Sequence, residues 1–468
     1  MRIVFIPIDN RPVCYTLPYH ITDVDMDIEL LMPPRELLGD LKNGANVPVI
    51  LNWLDSLDYF DKAVIALDTI AYGGLVQSRR ISDSFEQVKE RLDQCFNILV
   101  EKKAKVYAFS SIMRISNNNC NEEEKEYWSE YGEKIFKFSY ETSKKRYLYR
   151  DYLGIPNEIL KDYLRTRRRN FDINTYYLSI ANELEFCYEN LFDTLVFSKD
   201  DCAEYGLNVD EANRLKKYIE KNSLNAFVKT GADEIPLTLL ARAIADERVV
   251  NIAPIFLNPD SADKISKYED ISVRQSVSDQ ITLAGGFVCE PAKADILLYV
   301  NNFDDEQGEL VMGVEVGGNS KDFDLPNKPY IIADIYNANG ADNCFMRNFL
   351  AKKINWSCFG GYAGWNTTGN TLGSALSAGI VRYYASKFNM YAFKKLQAIR
   401  LLDDWAYQAN VRKSLKMYLR DVSLPELNQQ MKSFEPIVQN FLQFGWDNMA
   451  YRHPWDRFFE IEIGMNIR

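Results

Sequence analysis

Histidine is nearly missing from this chain: His20 and His453 are the 2 in 468 residues. Neither stands in an HExxH or paired spacing, which removes the histidine-based zinc sites and leaves Ser-His-Asp and Cys-His catalysis without a base. The 8 cysteines (Cys14, Cys95, Cys120, Cys187, Cys202, Cys289, Cys344 and Cys358) form no CxxC and no close pair. Reduced thiols in a cytosolic protein are the plain expectation. A run of about eighteen apolar residues is also lacking, so no transmembrane helix is expected. The first apolar stretch, MRIVFIPIDNRP, breaks at Pro7 and Asp9 like a strand rather than a signal-peptide core. Positive charge is in deficit, and a formal net charge of −11 argues against a general nucleic-acid or anionic-membrane partner. The densest basic run, Arg165 to Arg169, reads as a solvated helix face. Neither GxGxxG nor a GK[ST] loop occurs, and no organic cofactor is expected.

What is present is core material, with 47% apolar and 13% aromatic residues. Short β-rich runs at 3–8, 63–67, 105–110, 194–198, 226–229, 251–257, 296–300, 330–333 and 357–362 alternate with helical stretches at 83–101, 210–221, 236–245, 341–352 and 371–386. An edge strand is added at 28–32. This rhythm predicts an α/β fold on a largely parallel sheet. Polar residues follow nearly every strand, which favours a (β/α)8-barrel-like arrangement, with a doubly wound open sheet as the alternative. Two long helical stretches between the third and fourth main strands predict an inserted lid over about 121–192, with Arg169 or Asn170 nearest the pocket. The expected organisation is a catalytic α/β domain at 1–390 and a mainly helical region at 391–468, ending in a strand near 458–463.

The strand ends hold the chemistry. TLVFSKDD delivers Asp200 and Asp201 side by side, and adjacent carboxylates repel, which raises one pKa and places an acid beside a base. AFVKTGADEIPLTLLAR places Asp233 and Glu234 after a glycine turn. Helix capping is the competing reading for both pairs. Two acidic pairs on successive strands would face one pocket, and paired carboxylates are what glycoside hydrolysis requires. In GGYAGWNTTGNTLG, Trp365 is suited to stack on a sugar and Asn366 and Asn370 to bond its hydroxyls; a buried indole in a packed turn is the alternative. Asp9, Asn10, Arg11 and Asp68 sit at strand ends. Arg79 and Arg114 would hold a substrate anion or tie acidic loops together. Asp23, Asp25 and Asp27 alternate like a calcium loop, but Ile28 stands where its glycine belongs, so they read as the exposed side of an edge strand.

Taken as ordered blocks, IPIDNRPVCYTLP, AYGGLVQSR, SSIMRISNNN, DYLRTRRRNF, FSKDDCAEYG, TGADE and YAGWNTTGNTLG resemble a bacterial family catalogued as domain of unknown function 4127. That resemblance implies relatives and no reaction. At motif level, the Asp-Asp strand end looks like that of O-GlcNAcase-type hexosaminidases, which would make Asp200 the acetamide-orienting group and Asp201 the general acid. Gly-x-Asp-Glu looks like chitobiase-type hexosaminidases, which would give those roles to Asp233 and Glu234. The two assignments exclude each other.

The expected function is a glycoside hydrolase or related carbohydrate-active enzyme acting on a small carbohydrate through Asp200, Asp201, Asp233 and Glu234, with no metal and no cofactor. A metal-assisted hydrolase or lyase on the same acids, and a non-catalytic sugar-binding protein, are the alternatives. The sugar and the oligomeric state are not fixed by the sequence.

Overall fold

A computed structural model of the chain describes residues 1–146, 154–182, 188, 191–199, 203–417 and 424–466. The chain divides into two compact units, one of residues 1–10 and 29–236 and the other of residues 11–28 and 237–468.

The sheet of unit 1 holds β1 (Arg2–Ile6), β2 (Glu29–Leu31), β3 (Lys62–Ala66), β4 (Lys105–Ile112), β5 (Phe192–Lys199) and β6 (Ala226–Thr230). Its order is β2-β1-β3-β4-β5-β6, with every pairing parallel. A parallel sheet is covered on both faces, so its strands read as continuous apolar runs. KAVIA in β3 is buried at every position. The helix Phe85–Lys102 that links β3 to β4 shows the complementary period. It buries Val88, Leu92, Cys95, Phe96 and Leu99 along one face and starts in a capping box between Ser84 and Gln87. The expected insertion forms two helices, Trp128–Lys145 and Asn157–Ala181.

The main sheet of unit 2 holds β7 (Val250–Phe256), β8 (Gly286–Val288), β9 (Ile296–Asn302), β11 (Tyr330–Ile335) and β13 (Phe359–Ala363), in the order β13-β11-β9-β7-β8 and again all parallel. A two-residue pair, β10 (Gly308–Glu309) with β12 (Asn337–Ala338), and an antiparallel hairpin of β14 (Asn448–Arg452) and β15 (Glu462–Asn466) complete its strands among the described residues. The final strand therefore lies slightly later than expected. The helix Thr368–Tyr384 packs closely on this sheet through small residues: a Cβ at Gly379 would overlap the Ile331 side chain. Within GGYAGWNTTGNTLG, a Cβ at Gly360 would stand 3.0 Å from the Tyr330 carbonyl oxygen and 3.5 Å from Gly379 Cα, so this glycine too serves close packing. C-terminal to it, the helix Met390–Arg400 runs into a π-helix, Leu401–Val411.

The barrel expectation is corrected here. The nine main strands are shared between two open sheets, so the polar residue after each strand marks two separate carboxyl edges rather than one ring. Counted in order of appearance, both sheets run 2-1-3-4-5, unit 1 adding a sixth strand. This is a doubly wound order with its switch point between the first and third strands, β1/β3 in unit 1 and β7/β9 in unit 2. Of Asp23, Asp25 and Asp27, read as an exposed edge, Asp23 and Asp27 are exposed and the reading is corrected at Asp25. Asp25 is buried in a turn and accepts hydrogen bonds from the backbone amides of Ser386 (2.9 Å) and Lys387 (3.1 Å).

Candidate active site

Because every strand of the unit 1 sheet points the same way, all its carboxyl ends lie on one edge. Asp9 leaves from β1, Asp68 from β3, Arg114 from β4 and Asp233 from β6. Ile6 pairs with Ile65, so Asp9 and Asp68 each follow three residues beyond matched positions on neighbouring strands. The two loops are tied where Thr69 Oγ1 donates to the Pro7 carbonyl at 2.5 Å. Asp9 and Asp68 are both buried, and Asn10 is held through its backbone by Gly39 and Arg35.

The surroundings of Asp68 serve either protonation state. Its carboxylate accepts from Ser110 Oγ (2.8 Å), from the Ser111 amide (3.0 Å) and from Ser111 Oγ. Burial pushes its pKa up to about 6, against the opposing pull of the two serines and the more distant Arg79. When Asp68 is protonated it can donate to Ser110 Oγ, whose own hydrogen then turns to Asn174 Oδ1, 2.9 Å away. A proton can therefore be stored at this strand end without orphaning a partner.

Arg79 and Arg114 flank Glu123 and Glu124. Arg79 reaches Glu123 at 3.2 Å and Glu124 at 3.5 Å, and Arg114 reaches them at 2.7 and 3.6 Å. Of the two roles open to these arginines, the visible bonds are those that tie an acidic loop. The basic run is not a solvated face throughout. Arg167 is buried against Glu211 (2.8 Å) and the Met113 carbonyl (2.8 Å). Arg169 donates to the carbonyls of Ser78, Ile81 and Asp83, and Asn170 joins it on Ser78. The insertion helix thereby clamps the loop that follows β3, while Asn174 on the same helix reaches Ser110 at the end of β4.

At the far end of the edge, Lys199 of β5 pairs with Thr230 of β6. Asp200 and Asp201, directly after Lys199, lie outside the described residues. Asp233 is buried, and Glu234 folds back to accept from the Ala232 amide at 3.0 Å. Gly231, at φ +125°, leaves the space that Glu234 fills, so Glu234 caps its own turn. At ~4.8 Å per strand, β1 and β6 stand about 19 Å apart, and a single acid-base pair needs carboxyls roughly 5 to 9.5 Å apart. Asp9 and Asp233 thus share an edge but are too far apart to act on one bond.

The remaining expected residues belong to unit 2. Trp365 is buried edge-on to Phe459, with its carbonyl bonded by Thr371 Oγ1 (2.8 Å). Asn366 sits at φ +60° and accepts from the Asn339 amide. Asn370 bonds Thr367 at the helix start. Arg11 pairs with Glu460 at 3.0 Å and lies over the Trp455 ring. At this unit's switch point, the Asn258 amide donates to Asn302 Oδ1 (3.1 Å) and Asn302 Nδ2 donates to the Asn258 carbonyl (2.7 Å).

Two acidic clusters of unit 2 lie outside the expected site residues, one at a strand end, Asp334, and one within a helical stretch. Asp334 ends β11 and accepts from Asn301, Tyr336, Tyr362 and the Asp342 amide; burial and the neighbouring Asp342 push it above the usual carboxylate range. Asp403 and Asp404 share Arg400, at 2.6 and 3.0 Å. Burial raises both. The letters DD at 403–404 repeat the KDD signal, but within a helical period that suggested a surface. Among the described residues no three His, Cys, Asp or Glu side chains converge as metal ligands, and no helix is long and apolar enough to cross a membrane.

No curated protein matches the chain. The ordered blocks of both units nevertheless fall within one family profile, and the chain belongs to the family described as Protein of unknown function (DUF4127), which matches residues 3–464.

Proposed function

We propose that the chain is a hydrolase of carbohydrate substrates, a glycoside hydrolase or close relative, working at the carboxyl edge of the unit 1 sheet. The supporting observation is the pairing of Lys199 with Thr230, the last residues of two neighbouring strands, which in sequence stand one residue before Asp200 and three before Asp233. Neighbouring parallel strands stand ~4.8 Å apart, a spacing compatible with the roughly 5 to 9.5 Å between the carboxyls that cleave a glycosidic bond. In this reading Asp201 and Asp233 divide the acid and base roles, and Glu234 shapes the turn. Asp9, Asn10 and Asp68 hold the rest of the substrate further along the edge. The cytoplasm is the proposed compartment.

A second placement is favoured by the β1/β3 switch point, where ligands of doubly wound sheets bind. There the proton store at Asp68 would serve the chemistry. The test is hydrolysis of a panel of aryl glycosides and natural oligosaccharides by the wild type, Asp201→Asn, Asp233→Asn and Asp68→Asn, with and without EDTA. The first two variants should lose about 10²- to 10⁴-fold in turnover, while Asp68→Asn changes mainly KM. A dominant loss in Asp68→Asn moves the chemistry to the switch point. Activity removed by EDTA replaces this proposal with a metal-assisted hydrolase, and binding without turnover replaces it with a sugar-binding protein.

A further inference from the structure

A cleft in unit 2 lies among the helix Pro12–Thr22, the junction of the helix Met390–Arg400 with the π-helix, and the segment before β15. Thr16, His20, Trp365, Arg400, Asp403 and Glu460 are among its walls, and it offers about 30 Å³, space for about two water-sized groups. Arg400 is 5% exposed. One terminal nitrogen, Nη2, serves Asp403 and Asp404, whereas Nε and Nη1 have no hydrogen-bond partner among the described residues. Buried guanidinium donors are ordinarily satisfied, and such an exception calls for a ligand or ordered water. Its setting adds weight, because π-helical turns are rare and recur at functional sites.

The charges narrow the chemistry. Arg400 and the nearby Arg412 offset Asp403 and Asp404, and Arg11 offsets Glu460 at 3.0 Å. Burial together with Lys395 and Arg400 pushes His20 down to about 3, which leaves it neutral. A lining with no excess charge favours a neutral ligand. The donors of Arg400 and the acceptors of Asp403, with Leu17 and Ile461 among the apolar walls, suit an aliphatic ring edge bearing hydroxyls.

We propose that this cleft binds the vicinal diol of a sugar or other polyol, its two hydroxyls occupying the two water-sized spaces beside Arg400. The site stands on residues of unit 2 alone and does not depend on the hydrolase reading. The experiment uses the full chain carrying Asp233→Asn, so that turnover does not confound binding, and titrates trans-1,2-cyclohexanediol against cyclohexanol by calorimetry and saturation-transfer NMR. Saturable one-to-one binding of the diol is expected, with the monool at least about tenfold weaker, the scale of one lost hydrogen bond to a charged group. Arg400→Lys keeps the charge but removes donors and should weaken the diol by about tenfold or more. Thr16→Phe, at a partly exposed helix position, fills the cleft without touching the ion pairs and should abolish binding even if Arg400→Lys fails to fold. Equal affinity for diol and monool, no saturable binding, or binding that survives Thr16→Phe in a folded chain would overturn the proposal.

Discussion

The two units share a strand order and differ at the point where that order reverses. In unit 1 the switch-point strands β1 and β3 lead to carboxylates, Asp9 and Asp68, and the serine pair beside Asp68 accommodates a proton that comes and goes. In unit 2 the equivalent strands β7 and β9 end in amides, and Asn258 and Asn302 lock each other with three hydrogen bonds. Amides do not titrate near neutral pH. One topology thus carries a proton-handling edge in one unit and a fixed polar clasp in the other, which is why fold alone assigns no activity.

This contrast can be broken by mutation, beginning with the largest effect. Arg167→Met strands Glu211 without its buried partner and should cost unit 1 about 3 to 5 kcal/mol in urea unfolding. Removing Arg168, whose pair with Asp172 is exposed, should cost under about 1 kcal/mol. The next effect is on pH dependence. Asp68 has a folded pKa of about 6 against an ordinary 3.8, so its contribution to stability is complete below the ordinary value and is lost as pH rises through about 6. That loss amounts to up to about 3 kcal/mol. Asp68→Asn should flatten the wild-type decline between pH 4 and 7, and a variant with the wild-type slope would assign the slope to other groups. Asn302→Asp carries the experiment into unit 2 by setting a carboxylate against the Asn258 carbonyl. It should cost about 1 to 3 kcal/mol at pH 8 and less at pH 5. Gly379→Ala crowds Ile331 and should lower stability by about 1 kcal/mol without any pH dependence.

Much of the architecture was readable because a buried parallel strand is a continuous apolar run, as at 63–67 and 330–333, and a crossover helix has its own period. The edge strand β8 was not, since Phe287 and Val288 are exposed and three residues carry no pattern. The division into two sheets is also invisible locally. Strand pairing is non-local, and nothing in the residues of β9 says that it lies between β7 and β11. At the candidate site, Asp9, Asp68 and Asp233 were found because acids at strand ends stand out. Ser110, Ser111 and Asn174 were passed over because hydroxyls and amides occur everywhere; their role appears only when the insertion helix is seen to reach β4. Arg400 and its aspartates were missed because an Asp pair inside a helical period reads as solvent-facing.

The central claim is that the carboxyl edge of the unit 1 sheet does chemistry. Its most direct test is kcat/KM of Asp233→Asn against wild type on whichever aryl glycoside the wild type cleaves, with urea midpoints confirming an unchanged fold. The account predicts a loss of about 10²- to 10⁴-fold at an unaltered midpoint. A folded variant that keeps the wild-type rate would contradict it.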